Sequence, residues 1–168
     1  MTQIHTDVYT VMQIDPLGKK TLKRVSRIVC KGETMDMDVV VDINSECNPF
    51  VCVCFLAVFL FFSLEQNKVF PCALGDRLTV SLMSSLSHDH SDEGEDNFYK
   101  GPSNASVIDE YEYVMSGRVF KISEEQGKKI NVYCSFGGLL LSLRGDARTL
   151  AAIEPDSKMF LLIRQARN

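Results

Sequence analysis

The sequence is poor in the residues from which catalytic sites are usually built. Histidine occurs only three times, at positions 5, 88 and 90. No serine, histidine and aspartate, and no cysteine and histidine, are spaced in a way that supplies a nucleophile with its general base. A glycine-rich loop of the kind that cradles phosphates is also missing. These absences disfavour an enzyme that acts through this chain alone, and we expect neither catalytic residues nor a cofactor.

Metal sites and disulfides are disfavoured by the placement of the cysteines. None of the six cysteines forms a Cys-x-x-Cys pair, so their spacing does not match a zinc site. Residues 1–7 are polar and do not resemble a secretory signal, so we expect reduced cysteines rather than a disulfide framework. The stretch His88-Asp89-His90 resembles a metal-ligand set, but ordered ligands need rigid surroundings, and a solvated tract explains it better. We therefore expect no metal.

Charge is ordinary in amount but uneven along the chain. The 168 residues carry a net charge of −4, which does not suit a protein that binds nucleic acid over its whole surface. Residues 87–97 hold five acids and no lysine or arginine, and we expect a long flexible acidic loop over 84–107. Residues 18–32 hold no acid and six basic residues: Lys19, Lys20, Lys23, Arg24, Arg27 and Lys31.

Helical periodicity is nearly absent, whereas short stretches of period-two alternation recur. The clearest is 35–43, and one face of it carries Met35, Met37, Val39, Val41 and Ile43. The opposite face carries Asp36, Asp38 and Asp42. Such alternation is typical of a strand with one side in water. Similar patterns predict eight strands, at 7–14, 25–30, 35–43, 77–83, 110–122, 130–136, 139–143 and 159–163.

Glycines mark two special points among these strands. Gly137-Gly138 separates two apolar-rich stretches, which predicts a tight hairpin because both central residues of such a turn need a positive φ. On the second arm, one face carries Leu139, Leu141 and Leu143. Gly117 interrupts the strand at 110–122 and predicts a bulge or a sharp bend there. Near the end of the chain, residues 150–153 are predicted to form a short helical turn.

The strand count defines the fold class. Eight short strands with almost no helix predict a single all-β domain over residues 1–168, as a barrel or a sandwich. Closure into a small barrel is favoured because it removes exposed strand edges.

Several stretches, taken in order, resemble one family. They are VMQIDPLGKK, RVSRI, MDVVVDIN, VFPCALGDRLTVSL, YEYVMSGRVFKI, YCSFGGLLLSLRGD and MFLLIR. Together they are similar to the eighth subunit of eukaryotic nuclear RNA polymerases, the small subunit shared by polymerases I, II and III. The YEYVM-x-G and Y-x-SFGGLL-x-L-x-GD patterns are the most specific, and the resemblance covers nearly the whole chain outside one apolar run.

The resemblance implies a fold and a function. It implies an antiparallel eight-stranded barrel related to the oligonucleotide-binding fold, with the acidic stretch as an Ω-type loop. It also implies a non-catalytic subunit in the nucleus, including the nucleolus, that supports transcription while docked on the largest subunit of the polymerase assembly. The alternative is a free-standing module of the oligonucleotide-binding type that binds single-stranded nucleic acid.

Two sets of site residues follow from this resemblance. The family is associated with weak, nonspecific binding of single-stranded DNA by its basic N-terminal segment, which here holds the six basic residues of 18–32. Lysines and arginines along a nucleic-acid backbone release counterions, but a solvated loop with salt-bridged neighbours is an equal alternative. Exposed aromatic residues of 110–122 and the 136–138 turn are expected to contact the partner subunit, and the candidates are Tyr113, Arg118, Phe136, Gly137 and Gly138.

The segment 47–68 departs from the family pattern. It separates stretches that the family joins almost directly, and it contains thirteen consecutive apolar residues at 50–62. About 20 residues are needed to span a bilayer, so we expect no membrane partner. A genuine connecting loop should be polar, and a run of exposed valine, leucine and phenylalanine promotes aggregation. The two hypotheses are a real insertion, which seeks a membrane or binds a partner, and a translated intron or gene-model error, and composition favours the second.

Overall fold

The protein is described here from a computed structural model, which describes residues 2–16, 24–44, 70, 72–85, 110–125 and 127–166. Eight β-strands and no helix occur in these ranges. The strands are β1 Thr2–Ile14, β2 Val25–Gly32, β3 Asp38–Asn44, β4 Arg77–Ser85, β5 Tyr113–Glu124, β6 Lys129–Phe136, β7 Leu139–Asp146 and β8 Lys158–Gln165. The described ranges include no helix long and apolar enough to cross a membrane.

The eight strands close into one barrel in the order β1-β2-β3-β7-β6-β5-β8-β4, with β4 pairing back onto β1. Every pair is antiparallel. Each of these strands therefore has two neighbours, which removes the unpaired edges on which other chains could add. The prediction of an all-β, eight-stranded antiparallel barrel is confirmed. Its relation to the oligonucleotide-binding fold stays a prediction.

The core fills the barrel with the residues that period-two alternation selects. In β3, Val39, Val41 and Ile43 are buried, and Met37 is buried just before the strand begins. Leu78, Val80 and Leu82 of β4 enter the same cluster, as predicted. The alternation identifies the core because successive side chains of a strand point to opposite faces.

Two expectations for the 35–43 stretch are wrong. Met35, expected in the core, is 41% exposed, because it lies in a tight turn before β3, where the Met37 N–H donates to the Met35 carbonyl at 2.7 Å. Asp42, expected to face water, is only 7% exposed. The Arg27 side chain on β2 lies over Asp42 and pairs with both carboxylate oxygens, so the carboxylate is covered without losing its partners.

A second apolar cluster lies on the outer face of the barrel, and the alternation pattern does not predict it. It contains Met83, Val114, Phe160 and Leu162, with Tyr111 packed against it. As a result β8 is buried on both faces over 159–163, and β4 over 78–83. Continuous apolar runs are what strands covered on both sides require, and Met-Phe-Leu-Leu-Ile in β8 is such a run.

Glycine is needed at two places in the barrel for two different reasons. Gly137 and Gly138 have φ values of +60° and +100° and connect β6 to β7, which confirms the hairpin. Gly117 instead pairs regularly with Met159, and the bulge predicted there lies at Phe120, between Val119 and Lys121. Glycine is needed at 117 because a Cβ atom would lie 2.2 Å from the Ser135 carbonyl oxygen. Close approach of two backbones, and not a bend, explains this glycine.

The remaining predictions about local structure have mixed outcomes. Residues 147–152 form hydrogen-bonded turns and no helix, with the Leu150 N–H donating to the Asp146 carbonyl at 3.2 Å. Ser84 and Ser85, expected in the acidic loop, belong to β4. The rest of that loop and the whole 47–68 segment lie outside the described residues, so both assignments stay predictions.

The described cysteines are reduced and structural. Cys30, Cys72 and Cys134 form no disulfide. Burial raises the pKa of the Cys30 and Cys134 thiols to about 12, and burial together with Asp76 raises the pKa of Cys72 to about 11. At neutral pH these thiols stay protonated, and the thiol form is a poor nucleophile and metal ligand.

Candidate interaction surfaces

The basic segment is only partly described. Lys19, Lys20 and Lys23 lie outside the described residues, whereas Arg24 is exposed just before β2, and Arg27 and Lys31 are exposed on β2. Arg27 and Lys31 share the outer face of the barrel because residues four apart in a strand point the same way.

Arg27 is already engaged by a carboxylate. Its Nε donates to Asp42 Oδ1 at 2.6 Å and its Nη2 donates to Asp42 Oδ2 at 2.9 Å. The hydrogen bonds to Asp42 raise the pKa of Arg27 above its ordinary value. A bidentate arginine–carboxylate pair of this kind is the geometry that arginine also uses for phosphate. A nucleic-acid phosphate would therefore have to compete with Asp42 for Arg27, and binding by the six basic residues stays a prediction.

The expected partner-binding residues fall into two groups. The expectation that Tyr113 and Phe136 are exposed is wrong, because they are 0% and 3% exposed and belong to the core. The Tyr113 ring lies 5.7 Å from that of Phe70, and its hydroxyl accepts the Asn44 N–H at 3.1 Å. Gly137 and Gly138 are exposed at the turn between β6 and β7, where a partner subunit can contact them.

Arg118 is exposed on the outer face of β5. Its Nη1 donates to the Asp156 backbone carbonyl at 3.2 Å, so a neutral acceptor holds the guanidinium. In the β5–β8 pairing, Arg118 lies directly opposite Lys158. Two like charges that face each other across a strand pair destabilise it in isolation.

A pair of aromatic rings lies beside Arg118, one exposed and one half-buried, and the sequence predicts only that exposed aromatic residues occur on β5. Phe120 is 53% exposed, and its ring centroid lies 6.2 Å from that of Tyr133 on β6. Lys121 is opposite Tyr133, with Nζ 5.8 Å from the ring centroid. The bulge at Phe120 turns Lys121 outward, although strict alternation from the buried Val119 would point it into the barrel. Sequence alternation alone does not predict the outward position of Lys121.

These side chains form one surface, here called the β5–β6 patch, which consists of Arg118, Phe120, Lys121, Tyr133 and Lys158. Among the ion pairs of the described residues, none involves its three cations. Some cations elsewhere on the barrel are neutralised, for example Arg77 by Glu33 and Lys129 by Asp36, each at 2.6 Å, whereas Lys31, Lys128 and Arg148 also have no ion pair among the described residues but lie singly and away from the patch. The β5–β6 patch is therefore positive within a chain whose net charge is −4.

The described histidine has a structural role. His5 is 4% exposed, and its Nε2 lies 2.8 Å from the Tyr9 hydroxyl. Burial lowers the pKa of His5, so the ring is neutral at physiological pH. In the ranges that the structure describes, no group of three or more histidine, cysteine, aspartate or glutamate side chains is arranged to hold a metal ion.

Comparison with known proteins identifies the family. The family model described as RNA polymerase Rpb8 matches residues 6–68 and 63–165. The subunit rpabc3 of DNA-directed RNA polymerases I, II, and III from Dictyostelium discoideum is 36% identical over 162 residues, covering 95% of each chain. Subunit RPABC3 from Saccharomyces cerevisiae is 32% identical over 165 residues, again covering 95% of each.

A plant relative belongs to a different set of polymerases. Subunit 8B of DNA-directed RNA polymerases II, IV and V from Arabidopsis thaliana is 31% identical over 161 residues, covering 95% of this chain and 93% of its own. The motif resemblance is thus confirmed by a family model that spans most of the chain and by relatives aligned almost end to end. This chain belongs to the RNA polymerase Rpb8 family.

Proposed function

We propose that this chain is a non-catalytic common subunit of DNA-directed RNA polymerases I, II and III, working in the nucleus, including the nucleolus. Membership of the Rpb8 family over nearly the whole chain is the observation that carries this proposal. The relatives are named as subunits of DNA-directed RNA polymerases I, II, and III. In the assembly, we propose that the chain supports transcription by docking on the largest subunit.

The geometry supports a scaffold role. The eight described strands form a closed barrel, so a partner must bind to its outer faces or its loops rather than add a strand. The described histidine, cysteines and buried acids are engaged in packing or hydrogen bonds, as with Asp7, which accepts the Met35 N–H at 3.1 Å. A rigid barrel with a positive, aromatic patch is suited to holding neighbouring chains in place.

The direct test is the size of the assembly that contains the endogenous protein. An epitope tag on the chain, followed by sedimentation of nuclear extract, should place it with a polymerase-sized complex that also contains the largest subunit. Pull-down of the largest subunit expressed alone then tests the docking partner. A free species of 18.9 kDa would contradict the proposal and support the free-standing nucleic-acid-binding alternative. The engagement of Arg27 by Asp42 speaks against that alternative.

We further propose that 47–68 is an unspliced segment and is not part of the mature protein. The family model matches in two separate stretches, of which the first includes this segment and the second begins within it, at residue 63. Valine, leucine, phenylalanine and cysteine make up most of the segment, and their T-rich codons resemble a pyrimidine tract before a splice acceptor. Sequencing the mature transcript across Glu46–Val69 should show these codons missing. Their presence in spliced message would refute the proposal and favour a partner-binding insertion.

A further inference from the structure

The β5–β6 patch combines two features that suit a partner. Arg118 and Lys158 face each other on adjacent strands, and no ion pair of the described residues neutralises either one. Beside them Phe120 leaves 53% of its surface in water. Cross-strand like charges cost stability, which the contact of Lys158 Nζ with the Phe160 ring at 5.3 Å offsets in part, and an anionic partner with an apolar side chain complements both the charges and the exposed ring.

The spacing of the cations defines the shape of that partner. Arg118 and Lys121 lie opposite Ser135 and Tyr133, which are two residues apart on β6, because the bulge at Phe120 takes up one residue of β5; this spacing corresponds to about 7 Å along a strand. An extended peptide covers the same distance with two of its own residues, whose side chains point to the same face. Lys158 lies opposite Arg118 on β8, with its Nζ 5.3 Å from the Phe160 ring centroid, so one carboxylate can contact Arg118 beside Lys158 while a second contacts Lys121.

The aromatic pair supplies the apolar part of the contact. Phe120 packs at a tilt of 41° against Tyr133 and remains 53% exposed, so a partner can reach the Phe120 ring. Exposed aromatic side chains at the centre of a patch are the groups that most often dominate binding energy. An apolar side chain on the same face of an extended segment as its two carboxylates would reach Phe120.

The charges favour a protein segment over nucleic acid. Three cations neutralise few phosphates, and the affinity of a single strand for a basic surface rises with the number neutralised. Asp156 and Glu124 are exposed near the two ends of the patch and oppose a longer polyanion. A short acidic peptide fits between these two acids, whereas a nucleic-acid strand would extend past them and be repelled.

We propose that the β5–β6 patch binds an extended acidic segment of another polymerase subunit, with carboxylates on Arg118, Lys121 and Lys158 and an apolar side chain on Phe120. This proposal rests on the proposed function, since it assumes that the chain is assembled with other subunits. It revises the predicted partner surface by keeping Arg118 and replacing the buried Tyr113 and Phe136 with Phe120 and Tyr133.

Site-specific photocrosslinking tests the identity of the occupant. Phe120 is replaced by p-benzoyl-phenylalanine in the tagged full chain, the assembled polymerase is isolated and irradiated, and the adduct is mapped by mass spectrometry. The expected adduct lies in another subunit, on a segment with at least two aspartates or glutamates within three residues. An adduct on nucleic acid, on residues 89–96 of this chain or on a segment without acids overturns the proposal, as does the absence of any adduct in assembled enzyme.

Charge reversal tests the electrostatic part. Arg118→Glu with Lys121→Glu should lower recovery of the chain in the assembly at least about tenfold at physiological salt. The matched control is Lys128→Glu with Arg148→Glu, which changes net charge equally at two exposed residues away from the patch and should leave recovery unchanged. Equal recovery of the two double variants overturns the proposal. If the test variant does not fold, Phe120→Ser replaces it, with the same expected loss.

The experiments distinguish failure of the proposed function from failure of the acidic-segment proposal. If the unsubstituted chain does not sediment with the polymerase, the proposed function fails. If the unsubstituted chain sediments with the polymerase but the adduct or the charge dependence is absent, only the acidic-segment proposal fails.

Discussion

Gly117→Ala is expected to destabilise the barrel by about 3 kcal/mol, an unusually large loss for the addition of one methyl group. The Cβ of alanine would lie 2.2 Å from the Ser135 carbonyl oxygen and 2.6 Å from Cδ1 of Phe136. The first of these atoms belongs to the backbone of β6, so no side-chain rotation can relieve the contact. Strands β5 and β6 must separate locally, which weakens their hydrogen bonds and the packing of Phe136 beneath them.

Gly127→Ala is the matched control for this change. Gly127 has a φ of +89°, but no atom lies within 4 Å of the position that an alanine Cβ would occupy, so the substitution carries only the conformational cost of about 1 kcal/mol. Urea denaturation of both purified variants, followed by circular dichroism, measures the difference. Equal losses of unfolding free energy would show that backbone approach at 117 does not constrain the barrel.

Leu161→Ala should lower the free energy of unfolding by about 3 to 4 kcal/mol. Leu161 is fully buried near the middle of β8 and lies opposite Leu82 on β4 and Met115 on β5. Truncation leaves a cavity between three strands whose backbone pairing prevents collapse around it, so both the transfer and cavity contributions apply.

Leu140→Ala is the control for the leucine prediction. Leu140 is 43% exposed on the outer face of β7, and its truncation should cost about 0.5 kcal/mol. Thermal and urea unfolding of the two variants give the comparison. Similar losses of unfolding free energy at 161 and 140 would contradict the assignment of β8 as a strand that is buried on both faces.

Much of the barrel is predictable because its strands follow simple alternation. The β3 residues Val39 and Val41, and the Gly137-Gly138 turn, are where their residue types require. Alternation fails where a local hydrogen bond shortens the strand, as at Met35. It fails again where a long side chain covers an outward carboxylate, as Arg27 covers Asp42.

The candidate surface is less predictable than the fold. Arg118 is exposed as expected, whereas Tyr113, an aromatic residue of the same strand, is buried. Which face a residue occupies depends on the strand's register with its neighbours, and the bulge at Phe120 changes that face partway along β5. A bulge depends on the pairing strand, so the β5 residues alone carry little information about it.

The position of β8 in the barrel has a consequence for how the protein is made. This strand joins β4 to β5, yet it is the last of the eight described strands to leave the ribosome. Until it is synthesised, β4 and β5 each present an unpaired edge and the apolar residues that β8 covers, including Met83 and Val114. The nascent chain is therefore most prone to aggregation just before β8 emerges, and binding of a chaperone or a neighbouring subunit would protect it most at that stage.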